Sequence, residues 1–213
     1  MTDLKQCWMT LSHDRLGVSE EKTLNWWKDI QSQYSESHRY YHTLNHLIEM
    51  FDHFNGHKTK LSDPDLVSLA IFFHDIIYDP KKSDNEEKSA EVFVQYTTEC
   101  SVNLKEDEIS KVKDWILLTK THQVKDEGSE DYHYFLDIDM AVLGRKDTGY
   151  KEYADQIREE YKHVPEKEYK TRRSKVLSNF CKRDRLYSTQ EFFDSYDNQA
   201  KENMGKEIAI LTE

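Results

Sequence analysis

Glycine, proline and cysteine are scarce in this chain of 213 residues, which contains six, three and three of them, respectively. The scarcity of glycine and proline leaves little turn chemistry, whereas the helix formers Leu, Glu, Lys and Gln are plentiful, so we expect an all-α protein. Cys7, Cys100 and Cys181 lie far apart and form no CxxC motif. Neither a disulfide framework nor a thiolate metal site is therefore indicated, and a reducing, cytoplasmic location is favoured.

Long apolar runs are also lacking. No window approaches the roughly 18 consecutive apolar residues of a membrane-spanning helix, and the N-terminal MTDLKQCWMT has no basic start followed by an apolar core. Neither membrane insertion nor export is expected. The formal net charge of −11 would repel a nucleic-acid duplex. Charged residues make up 33% of the chain and aromatic residues 12%, which favours amphipathic helices over disorder.

Apolar residues recur at helical spacing along most of the chain, and the pattern predicts about nine or ten helices. The predicted helices cover residues 3–16, 20–34, a segment from near Tyr41, a segment from Pro64, and residues 84–97, 106–120, 132–144, 147–163, 166–183 and 189–211. The expected caps are Ser19, Ser62 or Asp63, Ser83 or Asp84, and, at a C-terminus, Gly144. The helix from Pro64 is apolar nearly all round and should be buried.

Three stretches set ionisable residues at the edge of helices that are otherwise typical of a core: YHTLNH at 41–46, FFHD at 72–75 and LDID at 136–139. Burying such groups without partners costs roughly several kcal/mol. One divalent cation would satisfy all of them, because neutral imidazoles and ionised carboxylates are ligands for Mn, Fe, Co, Ni or Zn. A single histidine at a helix end is more often structural, but the coincidence of three stretches favours a metal site.

The order H…HD…D resembles the HD superfamily of metal-dependent phosphohydrolases. The wider pattern of RYYHTLNH, FFHDIIYDPKKSDNEEKSA, TKTH, LDIDMAVLG and YKTRRSKVLSNFCKRDRLY resembles a branch described as predicted metal-dependent HD phosphohydrolases, over roughly residues 25–205. The resemblance implies one helical-bundle domain of HD type over residues 1–213. Its metal-site core would lie at about 38–145, with C-terminal helices at 147–211 packing on it.

The resemblance also implies one metal ion per chain. The implied ligands are His42, His74, Asp75 and Asp139. His42 directly follows HRYY, and Asp139 is the second acid of a D-x-D, which are positions that superfamily ligands occupy. The residues alone leave open whether His42 or His46, and whether Asp137 or Asp139, is the ligand. His46 and Asp137 would then hydrogen-bond a ligand, a water or the substrate. The metal is Mn, Fe, Co, Ni, Zn or Mg, which the sequence does not distinguish.

The reaction that this site implies is hydrolysis of a phosphate ester by metal-activated water. The expected partner is a nucleotide or another small phosphorylated metabolite, and the oligomeric state is not indicated. Asp79 and Glu86 are the candidates for proton transfer, which needs an acid or base near the reacting oxygen. Alternatively, Asp79 starts the turn at Pro80 and Glu86 favours the N-terminus of the next helix.

Cationic side chains are expected to bind the phosphate group. Arg173 is the first candidate because its planar fork binds two oxygens at once. It lies in YKTRRSKVL, where the resembled branch has YxxGRxxVL, so Arg172 stands in place of a glycine. Lys120 and His122, in LLTKTH, are further candidates for substrate binding, as is His46. For Lys120, a solvated charge at a helix end is the alternative.

Other functions remain open on the sequence. His122 and His133 resemble the additional histidines of binuclear superfamily members, which include phosphodiesterases and di-iron oxygenases. One metal is favoured because His133 also fits the start of an aromatic-rich helix. A non-catalytic helical module stabilised by metal is a second alternative. A ferritin-like di-iron bundle needs two Glu-x-x-His pairs, and only EDYH at 130–133 fits.

Overall fold

The computed structural model describes residues 2–123 and 130–213. Within these ranges the chain forms ten α-helices and no strand, which confirms the prediction of an all-α protein with nine or ten helices. The chain divides into two compact units, Met1–Gln123 and Val124–Glu213. The prediction of one domain over 1–213, with a core at 38–145, stays a prediction. No helix in the described ranges has the length and apolar character needed to cross a bilayer.

The first unit contains six α-helices, a π-helical segment that continues α1, and a short 3-10 turn. They are α1 (Leu4–Met9), the π segment (Thr10–Arg15), α2 (Glu20–Gln33), α3 (Leu44–His57), the 3-10 turn (Lys58–Lys60), α4 (Pro64–Phe73), α5 (Asn85–Cys100) and α6 (Glu106–Leu118). The predicted cap of α2 is confirmed, because the Ser19 side chain accepts a hydrogen bond from Lys22 N.

Helix α4 lies at the centre of this unit and contacts α3, α5 and α6. Asp63 caps it by accepting a hydrogen bond from Leu66 N, and Pro64 occupies the first turn, as predicted. All eight residues from 66 to 73 are buried. Aromatic rings surround its end: the Trp8 ring lies 5.1 Å from the Phe72 ring, centroid to centroid. The edge-on packing of such rings stabilises the fold in addition to the burial of their apolar surface.

The last four carbonyl groups of α4, which have no partner inside the helix, all accept hydrogen bonds. The donors are His74 N for Ala70 O, His74 Nδ1 for Ile71 O, the Tyr34 hydroxyl for Phe72 O and Ile76 N for Phe73 O. The helix therefore ends in a fully bonded buried turn, and the chain leaves it immediately after His74.

Helix α3 begins later than the sequence indicated. We predicted a start near Tyr41, but Thr43 is the N-cap, with an extended backbone and a side chain that accepts a hydrogen bond from Asn45 N. A threonine in this role fixes where the helix begins. As a result, His42 precedes the helix and His46 lies in its first turn, buried on the same face as Met50.

The described part of the second unit contains four α-helices and one 3-10 turn: α7 (Asp131–Met140), the 3-10 turn (Ala141–Gly144), α8 (Asp147–Glu160), α9 (Glu166–Cys181) and α10 (Gln190–Thr212). Helix α10 packs on α9 and on the 3-10 turn. The Asp137 carboxylate of α7 holds the start of α10, since it accepts hydrogen bonds from Ser188 N at 2.9 Å and from both Thr189 N and Thr189 Oγ1 at 2.7 Å.

Gly144 was predicted as a helix C-cap, but its role is steric. Among the described glycines only Gly17 has a positive φ, so Gly144 does not adopt the left-handed conformation of such a cap. A Cβ atom at Gly144 would lie 2.7 Å from Tyr196 Cβ and 3.0 Å from Tyr196 O. A glycine is needed here because α10 approaches the 3-10 turn too closely for any side chain.

Candidate metal centre

The His-Asp pair lies at the C-terminal end of α4. The His74 side chain has no exposed surface, and its Nδ1 lies 2.9 Å from Ile71 O. A carbonyl oxygen only accepts hydrogen bonds, so His74 Nδ1 carries the proton. In the neutral ring, Nε2 then presents a lone pair on the opposite side. A backbone carbonyl is one of the usual partners that fix the ring of a metal-binding histidine.

Three ligand atoms converge opposite that carbonyl. His74 Nε2 lies 3.1 Å from Asp75 Oδ2 and 3.1 Å from His46 Nε2. One ligand atom from each of the three residues lies within 4.8 Å of the others. A proton on His74 Nε2 would bond well to only one neighbour, whereas a cation satisfies both. Two ligands at right angles around an ion with bonds of about 2.1 Å are about 3.0 Å apart, so the residues fit a divalent cation.

His46 belongs to this group, whereas the sequence predicts it to assist a ligand, a water or the substrate. It is buried, and the first turn of α3 directs it towards His74. The signal that could have identified it was Thr43. A start at that N-cap places His42 outside the helix, and the spacing of four residues from His46 to Met50 and Phe54 places His46 on the buried face.

His42, the predicted ligand, borders the group. Its Nε2 lies 3.8 Å from Asp75 Oδ2, compared with 3.1 Å from His74 Nε2 to both Asp75 Oδ2 and His46 Nε2. The ring stacks on Tyr78, with centroids 4.2 Å apart and planes 27° from parallel. Its side chain is 19% exposed and that of Asp75 17%, so solvent reaches the group from this side. The ligand role of His42 stays a prediction.

Asp139, the predicted fourth ligand, lies on α7 in the second unit and is half-buried. Its role stays a prediction. The alternative acid, Asp137, has a structural use, because its two oxygens hold Ser188 and Thr189 at the start of α10. Burial raises the pKa of the Asp137 carboxyl to about 6, and the hydrogen bonds from Thr189 oppose that rise.

The proton-transfer candidates lie at the turn between α4 and α5. Asp79 Oδ1 accepts a hydrogen bond from Lys81 N at 2.9 Å, the arrangement expected of an aspartate that starts a turn. Glu86 lies in the first turn of α5, with Oε2 3.8 Å from Lys120 Nζ. The contact of Asp79 and the first-turn position of Glu86 agree with the structural alternatives that the sequence left open, and the catalytic roles of the two acids stay predictions.

Lys120, a predicted substrate-binding residue, connects the end of α6 to the start of α5. Its Nζ donates to Ser83 O at 2.7 Å and to Glu87 Oε1. The hydrogen bond with Glu87 raises the pKa of Lys120 and lowers that of Glu87. The Lys120 side chain is 40% exposed. Its substrate-binding role stays a prediction.

Arg173, the predicted phosphate-binding arginine, is part of an ion pair inside the second unit. Its Nε lies 2.9 Å from Glu207 Oε1, and its Nη2 lies 3.3 Å from Glu207 Oε2. The Tyr150 hydroxyl also donates to Glu207, at 2.6 Å. The charge of Glu207 thus balances that of Arg173 across the α9–α10 contact. Its substrate-binding role stays a prediction.

The two histidines that suggested a second metal both lie near helix ends. His122 follows α6 in a left-handed conformation, with φ of 47°, and its backbone N–H donates to Leu118 O. His133 lies in the first turn of α7, where its Nδ1 accepts a hydrogen bond from Glu130 N at 3.2 Å. That capping contact agrees with the interpretation of His133 as a residue of a helix start.

Comparisons with known proteins identify no relative. No protein-family model matches the chain, no curated protein matches it, and no solved structure matches it. The case for a metal site therefore rests on the chemistry of the group His46, His74 and Asp75.

Proposed function

We propose that this protein is a metal-dependent phosphohydrolase that cleaves a phosphate ester of a nucleotide or another small phosphorylated metabolite. The observation that carries the proposal is the convergence of His46, His74 and Asp75, whose acceptor atoms lie within 4.8 Å of one another. Such a set of nitrogen and oxygen donors suits a borderline divalent cation. The resemblance to the HD superfamily gives the reaction class.

His46, His74 and Asp75 would hold the cation, and His42 and Asp139 are the further candidate ligands. A bound divalent cation supplies Lewis acidity towards water and towards a phosphoryl oxygen. His74 has no exposed surface, so it closes the inner side of the group, whereas Asp75 and His42 are partly exposed. A substrate would therefore approach from the side of Asp75 and His42. Asp79 and Glu86 are the candidates for proton transfer.

Metal analysis combined with a phosphatase screen tests the proposal. The purified protein is stripped with chelator, reloaded with Mn²⁺, Fe²⁺, Co²⁺, Ni²⁺, Zn²⁺ or Mg²⁺, and tested for phosphate release from a panel of nucleotides and sugar phosphates. We expect one cation per chain and metal-dependent release that His74→Ala and Asp75→Asn abolish. Two cations per chain would favour the binuclear alternative instead.

Two control variants match the site variants. His57→Ala changes another histidine of α3, whose Nδ1 contacts His53 O at 2.9 Å. Asp65→Asn changes a carboxylate in the first turn of α4, with 20% side-chain exposure, close to that of Asp75. Both controls should keep metal and activity. Unchanged hydrolysis in the two site variants would refute the catalytic proposal, and metal binding without any hydrolysis would favour a metal-stabilised module.

A further inference from the structure

The segment that follows α4 has no regular structure, yet side chains bond much of its backbone. Ile77 N donates to Ser89 Oγ at 3.1 Å, and that hydroxyl donates to Ile77 O at 3.2 Å. Asp79 N and O bond to the side-chain amide of Asn85 at 3.1 and 3.0 Å. Buried backbone groups need such partners, so residues 75–79 are held in one conformation by side chains from outside the segment.

Arg39 donates hydrogen bonds to the backbone beside the metal centre. Its Nη1 donates to Asp75 O at 2.7 Å and to His42 O at 3.2 Å, and its Nη2 donates to Ile76 O at 3.0 Å. One guanidinium group therefore bonds the chain on both sides of the centre: the segment that leads into α3 and the segment that leaves α4. These segments carry the histidines of YHTLNH and the aspartate of the His-Asp pair.

The surroundings of Arg39 hold its side chain in a single position. The side chain has no exposed surface, and its Nε donates to Glu36 Oε2 at 3.1 Å. The guanidinium carbon lies 5.0 Å from the centroid of the Tyr34 ring and 5.5 Å from that of Tyr78. A planar fork with five N–H donors can serve three carbonyls and a carboxylate at once, whereas a lysine ammonium has three donors and no fork.

We propose that Arg39 is a positioning residue of the metal centre. By bonding the backbone of His42 and that of Asp75 and Ile76, it sets the distance between the Asp75 carboxylate and the imidazoles of His42 and His46. This inference rests on the metal centre proposed above. Groups that orient metal ligands without touching the metal typically contribute about 10- to 100-fold to metal affinity. Loss of the guanidinium should therefore weaken cation binding by about that factor.

Cobalt binding tests the inference, because the visible absorption of Co²⁺ reports both affinity and ligand geometry. The variants are Arg39→Ala and Arg39→Lys, in the full chain. The matched control is Arg158→Ala, because Arg158 also donates to two carbonyls, Tyr161 O at 2.7 Å and Val164 O at 3.2 Å. It also stacks on a tyrosine ring, but in the second unit. Binding is measured at a temperature at which circular dichroism shows that every variant is folded.

We expect both Arg39 variants to bind Co²⁺ about 10- to 100-fold more weakly than the wild type, with a changed absorption spectrum, and Arg158→Ala to bind it normally. Millimolar methylguanidinium should restore part of the affinity of Arg39→Ala and none in His74→Ala. Wild-type affinity and spectrum in the Arg39 variants would overturn the inference. If Arg39→Ala does not fold, the Arg39→Lys variant decides in the same way.

The outcome for Arg39 is separable from that of the proposed reaction. A wild type that binds Co²⁺ but hydrolyses no phosphate ester would refute the proposed phosphohydrolase activity. The ratio of the Co²⁺ affinities of the wild type and the Arg39 variants would still decide the role of Arg39. A wild type that binds none of the cations would overturn both the metal centre and the inference.

Discussion

Replacing His46 by alanine should remove most of the stabilisation that a cation gives this protein, whereas replacing His42 should remove less. His46 is buried, and its Nε2 lies 3.1 Å from His74 Nε2. His42 is partly exposed, and its Nε2 lies 3.8 Å from the nearer oxygen of Asp75. The comparison decides between the two histidines that the sequence left as alternatives.

The magnitude follows from linkage between binding and folding. A cation at about 100 times its Kd stabilises the folded state by about 2.7 kcal/mol. For a chain of this length, that corresponds to a rise in Tm of about 5 to 10 °C. Loss of a ligand should weaken binding by at least about 100-fold, the upper end for groups that only orient ligands. The same cation concentration would then contribute about 0.4 kcal/mol to His46→Ala, a rise of about 1 to 2 °C.

The assay is the Tm of each variant with Mn²⁺ or Co²⁺ minus the Tm of the same variant with chelator. The subtraction removes any effect of the substitution on folding itself. His57→Ala, on the same helix, should keep the full rise. A full rise in His46→Ala together with its loss in His42→Ala would refute the assignment and return the ligand role to His42.

Three substitutions test the second unit. Gly144→Ala should destabilise the protein by about 1 to 3 kcal/mol, because its Cβ would lie 2.7 Å from Tyr196 Cβ; Gly205→Ala in α10, with nothing within 4 Å of its Cβ, should stabilise it by about 0.5 to 1 kcal/mol. Urea unfolding measures both, and equal effects would contradict the steric argument. Asp137→Ala should cost about 1 to 3 kcal/mol, since Thr189 N loses its buried acceptor. Urea unfolding also tests this, and unchanged stability would mean that the start of α10 does not depend on that carboxylate.

The helices followed from the sequence wherever local signals agreed. In α4 the cap, the proline and the unbroken apolar run all indicated the same buried helix. In α3 they did not agree, because the apolar stripe fits a start near Tyr41 and only the Thr43 side chain marks the true one. Because Thr43 is the cap, His42 lies outside α3 and His46 lies in its first turn, a difference that the apolar stripe alone does not reveal.

The candidate metal centre was harder to predict in full, because part of it is backbone. The adjacent His-Asp pair indicated a site, and the structure brings His74 and Asp75 together with His46. Arg39 gave no signal, since an arginine in ESHRYY is typical of a solvated turn. Its contacts are with the carbonyls of Asp75 and Ile76, and no pattern of side chains in a sequence reports which carbonyls remain unsatisfied.

The end of α4 explains why the chain has a histidine at position 74 and not another apolar residue. A helix end leaves carbonyls that need donors, and the His74 ring supplies one to Ile71 O. The same hydrogen bond fixes the proton on Nδ1, and so directs the Nε2 lone pair at Asp75 and His46. A leucine at this position would remove the ligand and leave the Ile71 carbonyl without that donor. One side chain thus completes the helix and supplies the first nitrogen of the candidate metal centre, so substitution of His74 should lower stability even without metal.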